Sequence, residues 1–247
     1  MNEISQTIHY CWFGGNALPD AAKECINSWK KYFPDYEVKE WNESNFDIHC
    51  CKYVEKAYEQ KKWAFVSDYA RFWILYNYGG LYFDTDVEII RNFQRLIDKG
   101  PFMGCEEAGN NIFSVAPGLG LAANPGLGLY KEILNYYENI VFDFKDGNVK
   151  TVVTHTTQIL KENGFKGIGD IEYIDGIYIY PPEYFCPMNQ FTGKITITGN
   201  TCSIHHYTAS WQNGYSRFKA KLQKILGPNV TNKIIIIKRK MKQIFRK

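Results

Sequence analysis

A chain of 247 residues, 45% hydrophobic and 22% charged, holds enough apolar material for one large core and is too balanced for a disordered or collagen-like polymer. Its formal net charge of +3 is a property of residues 233–247, where Lys233, Lys238, Arg239, Lys240, Lys242, Arg246 and Lys247 stand with no acid; without those seven charges the rest is at −4. A body of that sign argues against a nucleic-acid enzyme, and no run approaches the roughly 18 consecutive apolar residues of a membrane-spanning helix.

Thr7 to Phe13 reads as a strand broken by Gly14-Gly15, and Pro19 opens a helix in which Ala22, Cys25, Ile26, Trp29 and Phe33 recur on one face. Pro34-Asp35 closes it before a strand over Tyr36 to Trp41, so the chain begins β-α-β. Helical spacing follows over Cys51 to Gln60 and over Trp63 to Tyr78, the second stopped by Gly79-Gly80, with Leu81 to Phe83 as a short strand. Beyond Asp84-Thr85-Asp86, strands are predicted at Val87 to Ile90, Phe102 to Cys105 and Ile112 to Val115. Helices are predicted from Pro125 to about Tyr137 and from Thr156 to Glu162, and a hairpin over Ile171 to Tyr180 turning at Asp175-Gly176. The expected architecture is α/β, an open mixed sheet with helices on both faces, in a single domain over residues 1–228 with a basic amphipathic tail over residues 229–247.

Seven cysteines without Cys-x-x-Cys spacing point to a reducing compartment, and the adjacent Cys50 and Cys51 read as ordinary thiols. Met1 to Gln6 shows no basic segment followed by an apolar one, so the expected location is cytoplasmic, with the tail meeting the anionic inner face of the cell membrane. The sequons at Asn42 and Asn229 are then without consequence.

Chemistry concentrates in three places. Asp84 and Asp86 lie two apart at a strand end, so on an extended chain both carboxylates face one side and form hard oxygen ligands for Mg²⁺ or Mn²⁺. Apolar Leu81, Tyr82, Phe83 and Val87 flank them, unlike an exposed turn. Asp68 and Arg71 share a helix face at a spacing that suits a salt bridge. Late in the body, His205-His206 precede Tyr207 to Trp211, and on an extended chain only one of two adjacent histidines can join a given metal site. Glu106, Glu107 and Asn124 are further candidates in the middle region, with both glutamates reading better as surface acids. The turn Pro117-Gly118-Leu119-Gly120 is explained equally by close approach of a ligand or by a plain connection.

Ile8 to Gly15, Phe65 to Arg71, Tyr78 to Asp86 and His205 to Trp211, in this order, resemble glycosyltransferase family 32. This group of DXD-containing sugar transferases includes capsular-polysaccharide enzymes, Och1-type mannosyltransferases and, more distantly, the clostridial glucosylating toxins. The resemblance implies a GT-A fold and retaining transfer of a hexose from a nucleotide sugar, with a UDP-sugar favoured, to a glycan or lipid-linked glycan in surface or capsular polysaccharide synthesis. It implies a donor site made by Tyr10, Trp12, Gly14, Asp68, Arg71, Tyr82, Asp84, Ser210 and Trp211. In it Trp12 stacks on the base, Asp68 and Arg71 contact sugar or pyrophosphate, and Ser210 and Trp211 close over the phosphates. It also implies catalytic roles for Asp68, Arg71, Asp84 and Asp86, and a Mn²⁺ or Mg²⁺ site made by Asp84, Asp86 and His206. Alternative readings are a phosphohydrolase of the haloacid-dehalogenase type, which wants its aspartates at the first strand, and a non-catalytic nucleotide-sugar binding protein.

Overall fold

Thr7–Cys11 forms strand β1, whose residues from Ile8 onward are buried, and the chain leaves the sheet two residues earlier than the apolar run suggests. The break is made by Gly14 and Gly15, both with positive φ, in a computed structural model that describes residues 4–109, 112–144, 150–189 and 192–207. Pro19 is the N-cap of α1 (Asp20–Tyr32), and its carbonyl accepts the N–H groups of Ala22 and Lys23 at 3.0 and 3.1 Å. The buried face of α1 is the predicted one, Ala22, Cys25, Ile26 and Trp29. Strand β2 (Glu37–Trp41) then lies parallel to β1 with Thr7 opposite Glu37 and Cys11 opposite Trp41, so the predicted β-α-β opening forms.

Helix α2 (Lys52–Glu59) leads to α3 (Trp63–Tyr78), whose observed bounds are those read from its apolar spacing. Burial on most sides of α3 takes Asp68 and Arg71 into the core beside Phe65, Val66, Tyr69, Phe72 and Leu75. Gly79 and Gly80 end the helix with φ of 64° and 92°, and a side chain on Gly80 would stand 2.6 Å from the Thr7 carbonyl. Only glycine lets β3 (Gly80–Tyr82) come this close to β1.

Next come β4 (Val87–Ile89), the single-turn α4 (Gln94–Ile97), β5 (Phe102–Gly109), β6 (Ile112–Val115) and β7 (Leu121–Ala123). Helix α5 spans Gly128–Glu138, starting three residues after Pro125, and α6 spans Val152–Glu162, starting four residues before the predicted Thr156. Strands β8 (Glu172–Ile174) and β9 (Ile177–Tyr180) make the expected hairpin, with Asp175 and Gly176 both at positive φ, as its two-residue turn requires. The single-turn α7 (Pro182–Phe185) and β10 (Ser203–His205) follow.

The main sheet has the order β2-β1-β3-β7-β5-β9-β8, with β6 paired to β5. Strands β1, β2, β3, β5 and β9 run one way, and β7 and β8 run against them. This is the mixed α/β sheet of the GT-A expectation, in which a β-α-β unit leads to the loop holding Asp84 and Asp86 beyond the end of β3. Ligand crevices of open α/β sheets lie at such C-terminal strand ends. Strands β4 and β10 form a separate antiparallel pair.

By internal contacts the chain divides into one unit made of Met1–Pro187 with Ile197–His206, and a second made of Met188–Thr196 with Tyr207–Lys247. In the second unit, Met188 bridges Ile195 and Asn189 N–H donates to the Lys194 carbonyl at 2.9 Å. The expected boundary at residue 228, the tail 229–247, Ser210 and Trp211 lie outside the described residues.

Candidate active site

Helix α3 places Asp68 and Arg71 one turn apart, and the predicted salt bridge forms, Arg71 Nη2 to Asp68 Oδ1 at 3.1 Å. The same Nη2 lies 3.2 Å from Asp84 Oδ1, and the Tyr82 hydroxyl donates to that oxygen at 3.1 Å. Arg71 Nε–H donates to the Ser67 carbonyl at 3.0 Å, and the guanidinium sits 5.0 Å from the centre of the Tyr82 ring. The Arg71 and Asp68 side chains are 3% and 8% exposed and Asp84 is 30% exposed, so one buried cation holds a buried carboxylate on one side and a solvent-facing one on the other. Arg71 Nη1 is buried without a hydrogen-bond partner among the described residues.

Charge in this core follows from the geometry. Burial pushes the Asp68 carboxyl up to about 7, Arg71 opposing the rise and Asp84 adding to it. Burial works against the charge on Arg71, but the surrounding Asp84, Tyr82 and Asp68 outweigh it and push its pKa up.

Asp84-Thr85-Asp86 is a turn rather than an extension of β3. The Val87 N–H donates back to the Asp84 carbonyl at 3.1 Å, and the Asp84 N–H donates to the Gly118 carbonyl at 3.0 Å. The carboxylates still converge, because β10 arrives beside β4 with His205 opposite Val87. His205 Nε2 lies 3.2 Å from Asp86 Oδ1, and one ligand atom each from Asp84, Asp86 and His205 falls within 4.8 Å of the others. Two carboxylates and an imidazole at this spacing fit a divalent cation such as Mn²⁺, with Mg²⁺ less suited to the nitrogen. Burial opposes protonation of His205, but the Asp86 carboxylate, helped by Cys186, raises its pKa well above the ordinary value.

The histidine expected with the aspartates was His206, and the structure corrects this to His205. His206 follows the last residue of β10 and turns to Glu88, Nε2 to Oε2 at 2.8 Å, while its backbone N–H donates to the Asp86 carbonyl at 3.0 Å. Register across 118 residues of sequence decides between the neighbours, and a sequence alone does not display it.

At the end of β1, half-buried Trp12 donates its indole N–H to the Asn16 carbonyl at 2.6 Å. Gly14 N–H donates to Glu43 Oε1 at 2.7 Å, and the Tyr58 hydroxyl donates to the same oxygen at 3.2 Å. A side chain on Gly14 would stand 2.5 Å from Nε1 of the Trp63 ring, which packs 4.9 Å from Tyr58. Glu43, Tyr58 and Trp63 thus shape the surroundings of Gly14, and sequence reasoning missed all three because each sits on a different element. Tyr10 packs its ring 5.8 Å from Trp29 and donates its hydroxyl to Glu40 at 2.7 Å; neither contact is with the aspartates. Glu106 and Glu107 are half-buried on β5 opposite Ser114 and Phe113 of β6, and half-buried Asn124 follows β7.

Comparison with protein families matches residues 19–103 to the glycosyltransferase sugar-binding region containing a DXD motif. No curated protein matches the chain. Among solved structures, it is similar to the PaToxG glycosyltransferase, with 21% identity over 64% of this chain and 69% of that one at a TM-score of 0.47. It is also similar to a glycosyltransferase involved in glycosylation of the major capsid of PBCV-1, with 13% identity over 89% of this chain and 98% of that one at a TM-score of 0.49. The matched region, residues 19–103, contains Asp68, Arg71, Asp84 and Asp86, so the stretch that is similar to the DXD-containing sugar-binding region of glycosyltransferases is the one that builds this acidic cluster.

Proposed function

We propose that this glycosyltransferase moves a hexose from a nucleotide sugar, a UDP-sugar in the favoured reading, to a glycan or lipid-linked glycan during surface or capsular polysaccharide synthesis, with retention at the anomeric carbon. The observation that carries this reading is the convergence of Asp84, Asp86 and His205 over the buried Arg71 at the end of β3. A divalent cation, Mn²⁺ or Mg²⁺, held by Asp84, Asp86 and His205 supplies positive charge toward a departing diphosphate.

The chain's own residues bind and orient the donor. Arg71 keeps Nη1 for an oxygen of the sugar or diphosphate while Nη2 holds Asp84 in place. Asp68, raised toward neutrality, fixes the guanidinium from beneath. Trp12 offers an aromatic face for the base, in the bend set by Gly14, and Tyr82 steadies Asp84 at the donor's edge. Because charge builds on the leaving group as the glycosyl–phosphate bond breaks, donors fixed before reaction contribute most. Retention proceeds on the front face, the leaving phosphate accepting the proton of the acceptor hydroxyl.

Thermal denaturation with a panel of nucleotide sugars, with and without Mn²⁺, tests this. A cognate donor at a hundredfold excess over its Kd raises Tm by about 5–10 °C in the presence of the ion, and Asp86→Ala abolishes the rise. No response to any nucleotide sugar with Mn²⁺ present overturns the reading. Release of inorganic phosphate without a nucleoside diphosphate favours a phosphohydrolase, and donor binding without turnover on any glycan acceptor favours a non-catalytic binding protein.

The basic segment 229–247 docks on anionic lipid and keeps the enzyme at the inner face of the membrane. Among the described residues no helix is long and apolar enough to cross a membrane. Removing residues 229–247 is expected to abolish co-sedimentation with phosphatidylserine vesicles and to leave donor hydrolysis unchanged. Equal sedimentation of the shortened chain refutes the tail's role.

A further inference from the structure

The turn between β6 and β7 reaches the acidic pair at Gly118. Gly118 lies under the Asp84 carboxylate, and a Cβ built on it would collide with Asp84 Oδ2, stand 2.9 Å from Asp84 Cγ and lie 3.3 Å from Arg71 Nη1. Its carbonyl also accepts the Asp84 N–H at 3.0 Å. Asp84 is therefore held at both ends, its backbone by the Gly118 carbonyl and its Oδ1 by Arg71 and Tyr82, while Oδ2 lies against the bare α-carbon.

The backbone of Gly118 is not the reason for glycine. It is absent from the positive-φ residues, unlike Gly120 two positions later, so an alanine there meets no conformational penalty of that kind. What forbids a side chain is the space, already filled by a carboxylate that a glycosyltransferase of this class needs in one orientation.

We propose that Gly118 is a positioning residue for the acidic pair: its missing side chain and its carbonyl fix the Asp84 carboxylate on Arg71 and in register with Asp86 and His205. A single methyl group at this position drives Asp84 off that line without touching Asp86 or His205. The inference rests on the metal-dependent reading above and adds to it a specific residue outside the matched region, which ends at residue 103.

The test is Mn²⁺ titration of the full-length protein, followed by electron paramagnetic resonance of the free ion, with Tm of the metal-free protein measured in parallel. Gly118→Ala is expected to weaken Mn²⁺ binding on the order of tenfold and to lower the metal-free Tm by about 4 °C. In an Asp84→Ala background the obstructing carboxylate is gone, so adding Gly118→Ala is expected to lower Tm no further. A turn merely damaged by the methyl group would lose the same stability in both backgrounds, which overturns the proposal. So does wild-type Mn²⁺ affinity in Gly118→Ala while Asp86→Ala has lost binding. If Asp86→Ala binds Mn²⁺ as wild type does, the metal-dependent reading fails first and the role of Gly118 falls with it.

Discussion

Arg71 carries one positive charge for two carboxylates, and the asymmetry between them sets its work. Toward Asp68 it compensates a buried acid whose own pKa is pushed up to about 7, and toward Asp84 it anchors an acid that remains 30% exposed. Removing the cation leaves a buried carboxylate without its counter-charge, the most costly way to break such a group. Arg71→Ala is therefore expected to lower unfolding free energy by about 3–5 kcal/mol, measured by urea denaturation at pH 7.5, against well under half of that for Asp68→Asn, whose amide oxygen still accepts from the guanidinium. Equal losses from the two substitutions would show that Arg71 does not hold Asp84. At this scale the sequence was informative about pairs close in the chain. The three-residue spacing of Asp68 and Arg71 on one helix face announces their bridge, whereas the role of Gly118 depends on a contact made 34 positions from Asp84 and leaves no local trace.

Elements position these residues through a few buried polar contacts. Trp29 of α1 donates its indole N–H to the Val87 carbonyl at 2.7 Å, and Ser28 Oγ accepts the Ile89 N–H at 2.9 Å, so α1 grips β4 just after the acidic turn. His9 of β1 is fixed in the same manner. Its Nε2–H donates to the Gly79 carbonyl at 3.1 Å, and its Nδ1 accepts the indole N–H of Trp41 at 3.1 Å, joining β1 and β2 to the end of α3. Most of these elements were legible. The apolar face of α1, the full span of α3 ended by two glycines, and the Asp175-Gly176 hairpin each follow a local rule. Strand β7 did not announce itself, because Leu121–Ala123 is three residues of ordinary loop composition made into a strand by pairing with β3 on one side and β5 on the other. The one-turn helices α4 and α7 escaped for a similar reason, being too short to show a period.

Across the whole molecule, two buried groups make stability depend on pH in opposite directions. His9 is held neutral by burial, its pKa lowered to about 4, with its bond to Gly79 opposing the shift and Lys39 assisting it. Between pH 6.5 and 4 the unfolded chain takes up the proton that His9 refuses in the fold, so stability from this group is lost as pH falls. Asp68 acts with the reverse sign: its folded carboxyl keeps a proton from about pH 7 downward while the unfolded one ionises near 3.8, so its contribution falls as pH rises through that range. Each proton is worth about 1.4 kcal/mol per pH unit where only one state binds it. Relative to wild type, His9→Asn is expected to reduce the slope of stability against pH between pH 4 and 6.5 by that amount, and Asp68→Asn to increase it equally. Guanidinium denaturation at half-unit intervals of pH checks both, and a shared sign for the two variants would contradict the burial argument.

The pairing of β4 with β10 joins Val87 to His205 and brings the only imidazole within reach of Asp84 and Asp86 among the described residues. On a ribosome the two acids emerge long before that histidine, so a nascent chain holds both carboxylates with no nitrogen to complete the set. Completion of the Asp-Asp-His cluster thus arrives late in synthesis, as a non-local contact with a substantial loop-closure cost, once β10 has paired with β4.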